Sequence, residues 1–276
     1  MDLTNLANVR LALKLAGLSA KKSLGQNFLI DKEALQEIVA TASLAPHDVI
    51  LEIGPGLGVL TDELVQHAER VIALEADTDF AQILERRAPD NLQVIEGDAL
   101  QYDLNTLPRG YKVVANLPYY ITSPLIRFLL EAENKPASMT VLVQKEVAER
   151  ITAKPGDMSV LAFSVQYYAA AQLARVVAAE SFYPAPKVDS AILHLELRSQ
   201  PAFAADTKKL FRLVKAGFGE KRKMLKNALA GGLAISGEKA AQLLESANIG
   251  ATARAQELSL EQWEKLYRSF EAHTAR

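Results

Sequence analysis

The chain has 276 residues, 49% hydrophobic and 23% charged, a composition ordinary for a globular protein with room for one α/β domain and a smaller appendage. Cysteine is absent, which excludes disulfides and thiolate metal sites and fits a reducing, cytoplasmic compartment; the four histidines (His47, His67, His194, His273) show no metal-ligand spacing. The net charge of −2 does not advertise a polyanionic partner, and no apolar run reaches the roughly 18 residues that span a bilayer, so neither a membrane partner nor a metal is expected.

At the N-terminus, Arg10 and Lys14 interrupt the apolar positions, which argues against a signal peptide. An amphipathic helix is expected there, with Leu3, Leu6, Val9 and Leu13 on one side. From 49 to 198, strand-like and helix-like segments alternate. Strands are expected at 49–53, 70–74, 92–95, 113–115 and 140–143, with helices at 59–67, 78–87 and 123–131. Pro124 falls in the first turn of the last of these helices, where proline is tolerated. Two further strand-like runs, 173–178 and 191–197, are joined by Ser181-Phe182-Tyr183-Pro184-Ala185-Pro186-Lys187, a link that suits an antiparallel pair better than a crossover. Residues 199–206 read as a linker. Helices are expected beyond it at 207–217, 221–229, 237–247 and 259–269, punctuated by Gly231-Gly232. The fold class that follows is α/β: a seven-stranded, mostly parallel sheet with an antiparallel last strand, in a domain spanning 1–198, plus a small all-α domain at 207–276.

Three strand ends carry polar or glycine signals. Leu51-Glu52-Ile53-Gly54-Pro55-Gly56-Leu57-Gly58 closes the first strand of the alternating region and opens a helix. Its glycines allow positive φ and close approach of backbone to a ligand. Their spacing differs from the dinucleotide fingerprint, and no Lys-Ser/Thr pair follows to cradle phosphate. Glu75 ends the second strand, 21 residues after Gly54, where a carboxylate can accept both hydroxyls of a ribose. Asp98 ends the third and can accept from an adenine amino group. Each feature alone is a common turn or packing motif. Together they make a nucleoside site at the carboxyl edge of a sheet, without choosing between S-adenosyl-L-methionine and NAD.

The fourth strand end makes that choice. Asn116-Leu117-Pro118-Tyr119 has no evident part in hydride transfer but suits an exocyclic amine. The Asn116 side-chain oxygen and the Leu117 carbonyl can accept its two N–H groups and aim the nitrogen lone pair. Pro118 stiffens the turn, and Tyr119 offers a ring to stack on the base. Positioning and electrostatics would supply most of the acceleration, with no strong base. Phe182 and Tyr183 are candidates for the opposite wall of the base pocket. A base held this way must leave its stack.

Charge is unevenly spread. Residues 208–226 hold eight basic side chains (Lys208, Lys209, Arg212, Lys215, Lys221, Arg222, Lys223, Lys226) against Glu220, a local charge of +7 that leaves −9 on the remainder. Lys221, Arg222, Lys223 and Lys226 are the candidate RNA contacts.

Several motifs in fixed order resemble the ribosomal RNA adenine dimethyltransferases, and within them the small-subunit (16S) enzymes. They are K-S-L-G-Q-N-F-L at 22–29, L-E-I-G-P-G-L-G at 51–58, G-D-A-L at 97–100, N-L-P-Y at 116–119, Q-K-E-V-A-E-R at 144–150, F-Y-P-A-P-K-V-D-S at 182–190 and L-S-L-E-Q-W at 258–263. The resemblance runs nearly end to end and departs from the usual residues at Tyr120, within 156–161 and at Gln256. It implies a Rossmann-like class I methyltransferase, with S-adenosyl-L-methionine as donor, that dimethylates two neighbouring adenosines in a hairpin near the 3′ end of small-subunit rRNA. It further implies a pre-ribosomal small subunit as partner, a late role in ribosome biogenesis and a monomer needing no metal. It places Gln26, Asn27 and Leu29 in the cofactor pocket, within an N-terminal segment at 1–30, beside Gly54, Gly56, Gly58, Glu75, Asp98 and Asn116. The runners-up are a large-subunit rRNA adenine methyltransferase of the antibiotic-resistance type and an assembly factor that mainly binds.

Overall fold

The computed structural model describes residues 1–21, 25–220 and 223–274. Contacts divide the chain into two units, Met1–Ala148 with Ala170–Leu197, and Glu149–Ala169 with Arg198–Arg276. This differs from the expected division at 198 by giving 149–169 to the helical unit.

The first unit opens with helix α1 (Leu6–Leu15), the two-residue strand β1 (Phe28–Leu29) and helix α2 (Lys32–Ala42). Then come β2 (Val49–Ile53), α3 (Val59–His67), β3 (Arg70–Glu75), α4 (Thr78–Glu85), β4 (Leu92–Glu96), β5 (Lys112–Asn116), α5 (Thr122–Glu131), β6 (Ser138–Gln144) and the start of α6 (Lys145–Ile151), whose residues from Glu149 on belong to the second unit. After α7 (Val160–Tyr168), which lies in the second unit, the chain returns as β7 (Ala169–Val177), β8 (Phe182–Tyr183) and β9 (Ser190–Leu197).

Seven strands form one sheet in the order β4-β3-β2-β5-β6-β9-β7. The β3–β4, β2–β3, β2–β5 and β5–β6 pairs are parallel, and β9 runs antiparallel to β6 from Ser138↔Glu196 to Gln144↔Ser190. The central strands are buried along nearly their whole length, as parallel strands with helices on their faces must be. One core packs Leu35 and Ile38 of α2 and Leu60 and Leu64 of α3 against Ile50, Val71, Val114, Leu142 and Ile192. A smaller cluster seats Leu3, Val9 and Leu13 on Phe28, Leu57 and Phe80, with the two phenylalanine rings 5.6 Å apart. β1 pairs antiparallel with β8, Phe28 opposite Tyr183 and Leu29 opposite Phe182. No helix among the described residues is long and apolar enough to cross a membrane.

The second unit holds α7 and then α8 (Thr207–Phe218), α9 (Leu225–Leu233), α10 (Gly237–Ser246) and α11 (Leu260–Thr274). Its core is aromatic. Phe163 lies 5.8 Å from the ring of the fully buried Trp263 and 5.9 Å from Tyr167, whose hydroxyl donates to the Phe203 carbonyl at 3.0 Å. These contacts hold 160–168 with the C-terminal helices, because two large rings on α7 find their partners there. Leu210, Leu213 and Val214 of α8 face this core, while Lys208, Lys209, Arg212 and Lys215 are exposed.

Candidate active site

Strands β2, β3, β4 and β5 run parallel, so their carboxyl ends meet at one edge of the sheet. The chain steps outward from β2 to β3 and β4, then returns to the other side of β2 as β5. Open α/β sheets bind ligands in the crevice at such a reversal. A cleft of about 380 Å³ lies there, lined among others by Gln26, Gly54, Glu75, Asp98, Asn116 and Tyr119.

The glycine loop is shaped by its backbone. Gly54, Gly56 and Gly58 have φ of +68°, +56° and +83°, values that cost little only without a Cβ. A Cβ at Gly54 would lie 3.5 Å from the Pro118 ring, so the glycine loop and the Asn-Leu-Pro-Tyr turn pack on each other. At Gly56 a Cβ would lie 3.1 Å from the Phe28 ring. Gly58 corrects the sequence expectation: it does not line the cleft. It is the N-cap of α3, and a Cβ there would collide with the Arg87 guanidinium and meet Leu84 Cδ2 at 2.5 Å. Its task is tight helix packing.

Glu75, 6% exposed, accepts the Gly56 N–H on Oε2 and the Asp77 N–H on Oε1, both at 2.9 Å. Burial raises its pKa, and these N–H groups counter part of that rise. Each oxygen keeps a lone pair for a ribose hydroxyl. Asp98 is exposed and held by the Leu100 N–H at 2.9 Å and Gln101 Nε2 at 2.8 Å, which keep its carboxyl below the usual range.

Asn116 ends β5. Its Nδ2 donates to the Asn27 carbonyl at 3.1 Å, which leaves Oδ1 as the acceptor. The Leu117 N–H bonds the Leu142 carbonyl at 3.1 Å, fixing the peptide that follows. Tyr119 is half-buried, its hydroxyl 2.7 Å from Ser190 Oγ, and burial raises its pKa. Tyr120 is 57% exposed at the rim.

The N-terminal segment covers the loop. Gln26 accepts the Lys21 N–H at 2.7 Å and donates to Asp77 at 3.0 Å, while Lys21 Nζ bonds Asp77 at 2.9 Å. Gln26, Asn27 and Leu29 all line the cleft, Leu29 from a buried position. Phe182, expected to wall the base pocket, is instead 3% exposed and packed in the core; pairing with Leu29 turns its ring inward. Tyr183 is half-buried with the Arg10 guanidinium 5.0 Å over its ring. Of the candidate RNA contacts, Lys221 and Arg222 lie outside the described residues, Lys223 pairs with Glu220, and Lys226 borders a separate surface groove on the helical unit.

One cleft residue has no role in the sequence reading. Glu52 lines the cleft from β2 and is 1% exposed. Its signal is a charge inside the otherwise apolar run Val49-Ile50-Leu51-Glu52-Ile53. No group of three or more His, Asp or Glu side chains able to hold a metal occurs among the described residues.

The family model "Ribosomal RNA adenine dimethylase" matches residues 17–272. The chain is 45% identical over 255 residues to a ribosomal RNA small subunit methyltransferase A of Dehalococcoides mccartyi, covering 90% of this chain and 88% of that one. It is 42% identical over 265 residues to the protein of that name from Desulfitobacterium hafniense, at 94% and 95% coverage. Among solved structures it is similar to a dimethyladenosine transferase from Plasmodium falciparum, with a TM-score of 0.79, 27% identity and coverage of 89% of this chain and 98% of that one. It also matches the 23S rRNA methyltransferase ErmE, with a TM-score of 0.74, 29% identity and 89% and 100% coverage. With a family model spanning nearly all its length and relatives above 40% identity, the chain belongs to the ribosomal RNA adenine dimethylase family.

Proposed function

We propose that this protein dimethylates the exocyclic amines of two adjacent adenosines in a hairpin near the 3′ end of small-subunit rRNA, within a pre-ribosomal small subunit. S-adenosyl-L-methionine is the donor and supplies an electrophilic methyl on a sulfonium. The residues of the cleft fit it: Glu75 for the ribose, Asp98 for the adenine and the positive-φ backbone at Gly54 and Gly56 for close approach. The observation that carries the reading is Asn116. Because its Nδ2 is bound to the Asn27 carbonyl, Oδ1 is left to accept an N–H of the target amine.

With Oδ1 and the Leu117 carbonyl accepting the two N–H groups, the amine is drawn toward a tetrahedral nitrogen whose lone pair faces the methyl. The nitrogen becomes acidic only after alkylation, so its proton leaves to solvent without a strong base. Tyr119, anchored through Ser190, offers a ring fixed in place for stacking. These groups hold the amine in a reactive geometry, which is where most of the rate would come from. The names of the relatives favour the small-subunit target over the large-subunit one.

The test is tritium transfer from labelled S-adenosyl-L-methionine to unmodified small subunits, followed by nucleoside analysis. Dimethyladenosine confined to the small-subunit RNA is expected. Label only in large-subunit RNA, or none with either, would overturn the reading.

A further inference from the structure

Ser190 is fully buried at the start of β9, where it pairs with Gln144 of β6, and it does not line the cleft. The residue before it is tied down twice. The Asp189 carbonyl accepts the Lys145 N–H at 3.0 Å, and its carboxylate accepts the Ala179 N–H at 3.1 Å. A buried hydroxyl needs a partner. The partner here is the Tyr119 hydroxyl, 2.7 Å away. Tyr119 opens a 3₁₀ turn, Tyr119–Ile121, whose backbone is held by the Ile121 N–H and the Thr122 hydroxyl on the Pro118 carbonyl, at 3.2 and 3.3 Å. It lines the cleft beside Asn116, and among the described residues Ser190 is the hydrogen-bond partner of its side chain. A ring held by its backbone at one end and by its hydroxyl at the other cannot swing about χ1 without breaking that bond.

The two methyl transfers onto one amine do not ask the same of this corner. In each, the nitrogen bonds the methyl carbon as the carbon–sulfur bond breaks, the bonding pair stays on sulfur and one N–H proton leaves to solvent. An unmethylated amine brings two N–H groups for Asn116 Oδ1 and the Leu117 carbonyl. After the first transfer one N–H remains, so one of the two acceptors loses its donor. Stacking on the Tyr119 ring uses the face of the base and is indifferent to that loss. It therefore carries a larger share of the alignment in the second transfer than in the first. We propose that Ser190 is a positioning residue for the second transfer, fixing the Tyr119 ring so that the monomethylated base is completed to dimethyladenosine. The proposal rests on the reading of this cleft as a site of adenosine amine methylation.

The experiment is a single-turnover time course with the full-length protein, unmodified small subunits and labelled S-adenosyl-L-methionine, resolving mono- from dimethyladenosine. Wild type, Ser190→Ala, Tyr119→Phe and the double variant are compared, since the two single changes delete the same hydrogen bond from opposite ends and keep the ring. Both single variants are expected to slow the first transfer and to slow the second by a further factor of about two to ten, the worth of one hydrogen bond, so that monomethyladenosine accumulates. The double variant should be no slower than the more affected single one, because one bond is lost in all three. Single variants that slow both transfers by the same factor, or neither, overturn the proposal. So does a double variant in which the two effects multiply. A wild type that forms neither methylated nucleoside in small-subunit RNA overturns the reading of the site itself.

Discussion

The amide of Asn116 faces two ways. Its nitrogen ties β5 to the backbone at Asn27, and its oxygen is the acceptor proposed for the target amine. Asn116→Ala removes both, and loss of one preorganised partner of a transition state typically costs about 10²–10³ in kcat. Methyl transfer by Asn116→Ala is therefore expected to fall at least that far, with affinity for small subunits nearly unchanged, as single-turnover labelling and filter binding would report. A mutant rate equal to wild type removes Asn116 from the chemistry. Glu52 makes a separate prediction, on stability. Its folded-state pKa of about 8 lies above the ordinary 4.5. The folded state therefore holds a proton that the unfolded chain releases. The cost of burial is absent below about 4.5, grows as pH rises and is complete above about 8. Glu52→Gln should thus match wild type in thermal stability near pH 5 and exceed it near pH 8, a gap on the order of a few kcal/mol. A constant difference in melting temperature across that range would contradict the assignment. The acid was visible in the sequence as a charge inside an apolar strand. Which groups surround it was not, since Thr61 and Asp62 come from α3 and Glu75 from β3, which only the fold brings near.

At the scale of elements, what periodicity signals was legible and what packing decides was not. The alternation from 49 to 143 gives β2 to β6 within a residue or two, because these strands are largely apolar runs closed by a glycine, an acid or an amide. Helix α2 goes unassigned in the sequence, although Asp31 caps it by accepting the Ala34 N–H at 3.0 Å and Leu35, Ile38 and Ala42 form its buried stripe. The pairing of β1 with β8 joins residues more than 150 apart and has no local signal. Gly231-Gly232 reads as a break between helices, yet both lie inside α9. The reason is close approach: a Cβ at Gly232 would lie 2.6 Å from the Ala216 Cβ and 2.7 Å from its Cα, on α8. At Gly231 the nearest atom to such a Cβ is Glu220 Oε1 at 3.9 Å. The two glycines should therefore respond oppositely to alanine. Gly231→Ala gains helix propensity, about 0.5–1 kcal/mol. Gly232→Ala forces α8 and α9 apart, and overpacking of this kind costs about 1–3 kcal/mol. Denaturant titration of the two variants would show it, and an equal sign for both would refute this account of the crossing.

For the whole molecule, the net charge of −2 hides a division that matters for RNA. The +7 of residues 208–226 stands against −9 elsewhere, so a polyanion is drawn to one segment and repelled by the average. On α8 the division is built into the helix: Leu210, Leu213 and Val214 are buried, and Lys208, Lys209, Arg212 and Lys215 are exposed. A solvated helix face would show the same pattern, so the discriminating quantity is the response to salt. Each phosphate neutralised by a lysine or arginine releases counterions and steepens the fall of log K with log salt by about 0.7–0.9. Replacing Lys221, Arg222 and Lys223 with glutamine should weaken binding to small-subunit RNA and flatten that slope by about 2–3 if all three meet phosphates. The same substitutions should leave the affinity for S-adenosyl-L-methionine unchanged if the segment serves RNA alone. Lys208, Lys209, Arg212 and Lys215, replaced as a second set, then report whether the RNA footprint extends along α8. A slope that neither set alters would make the positive segment a solvated surface and move the RNA interface elsewhere on the protein.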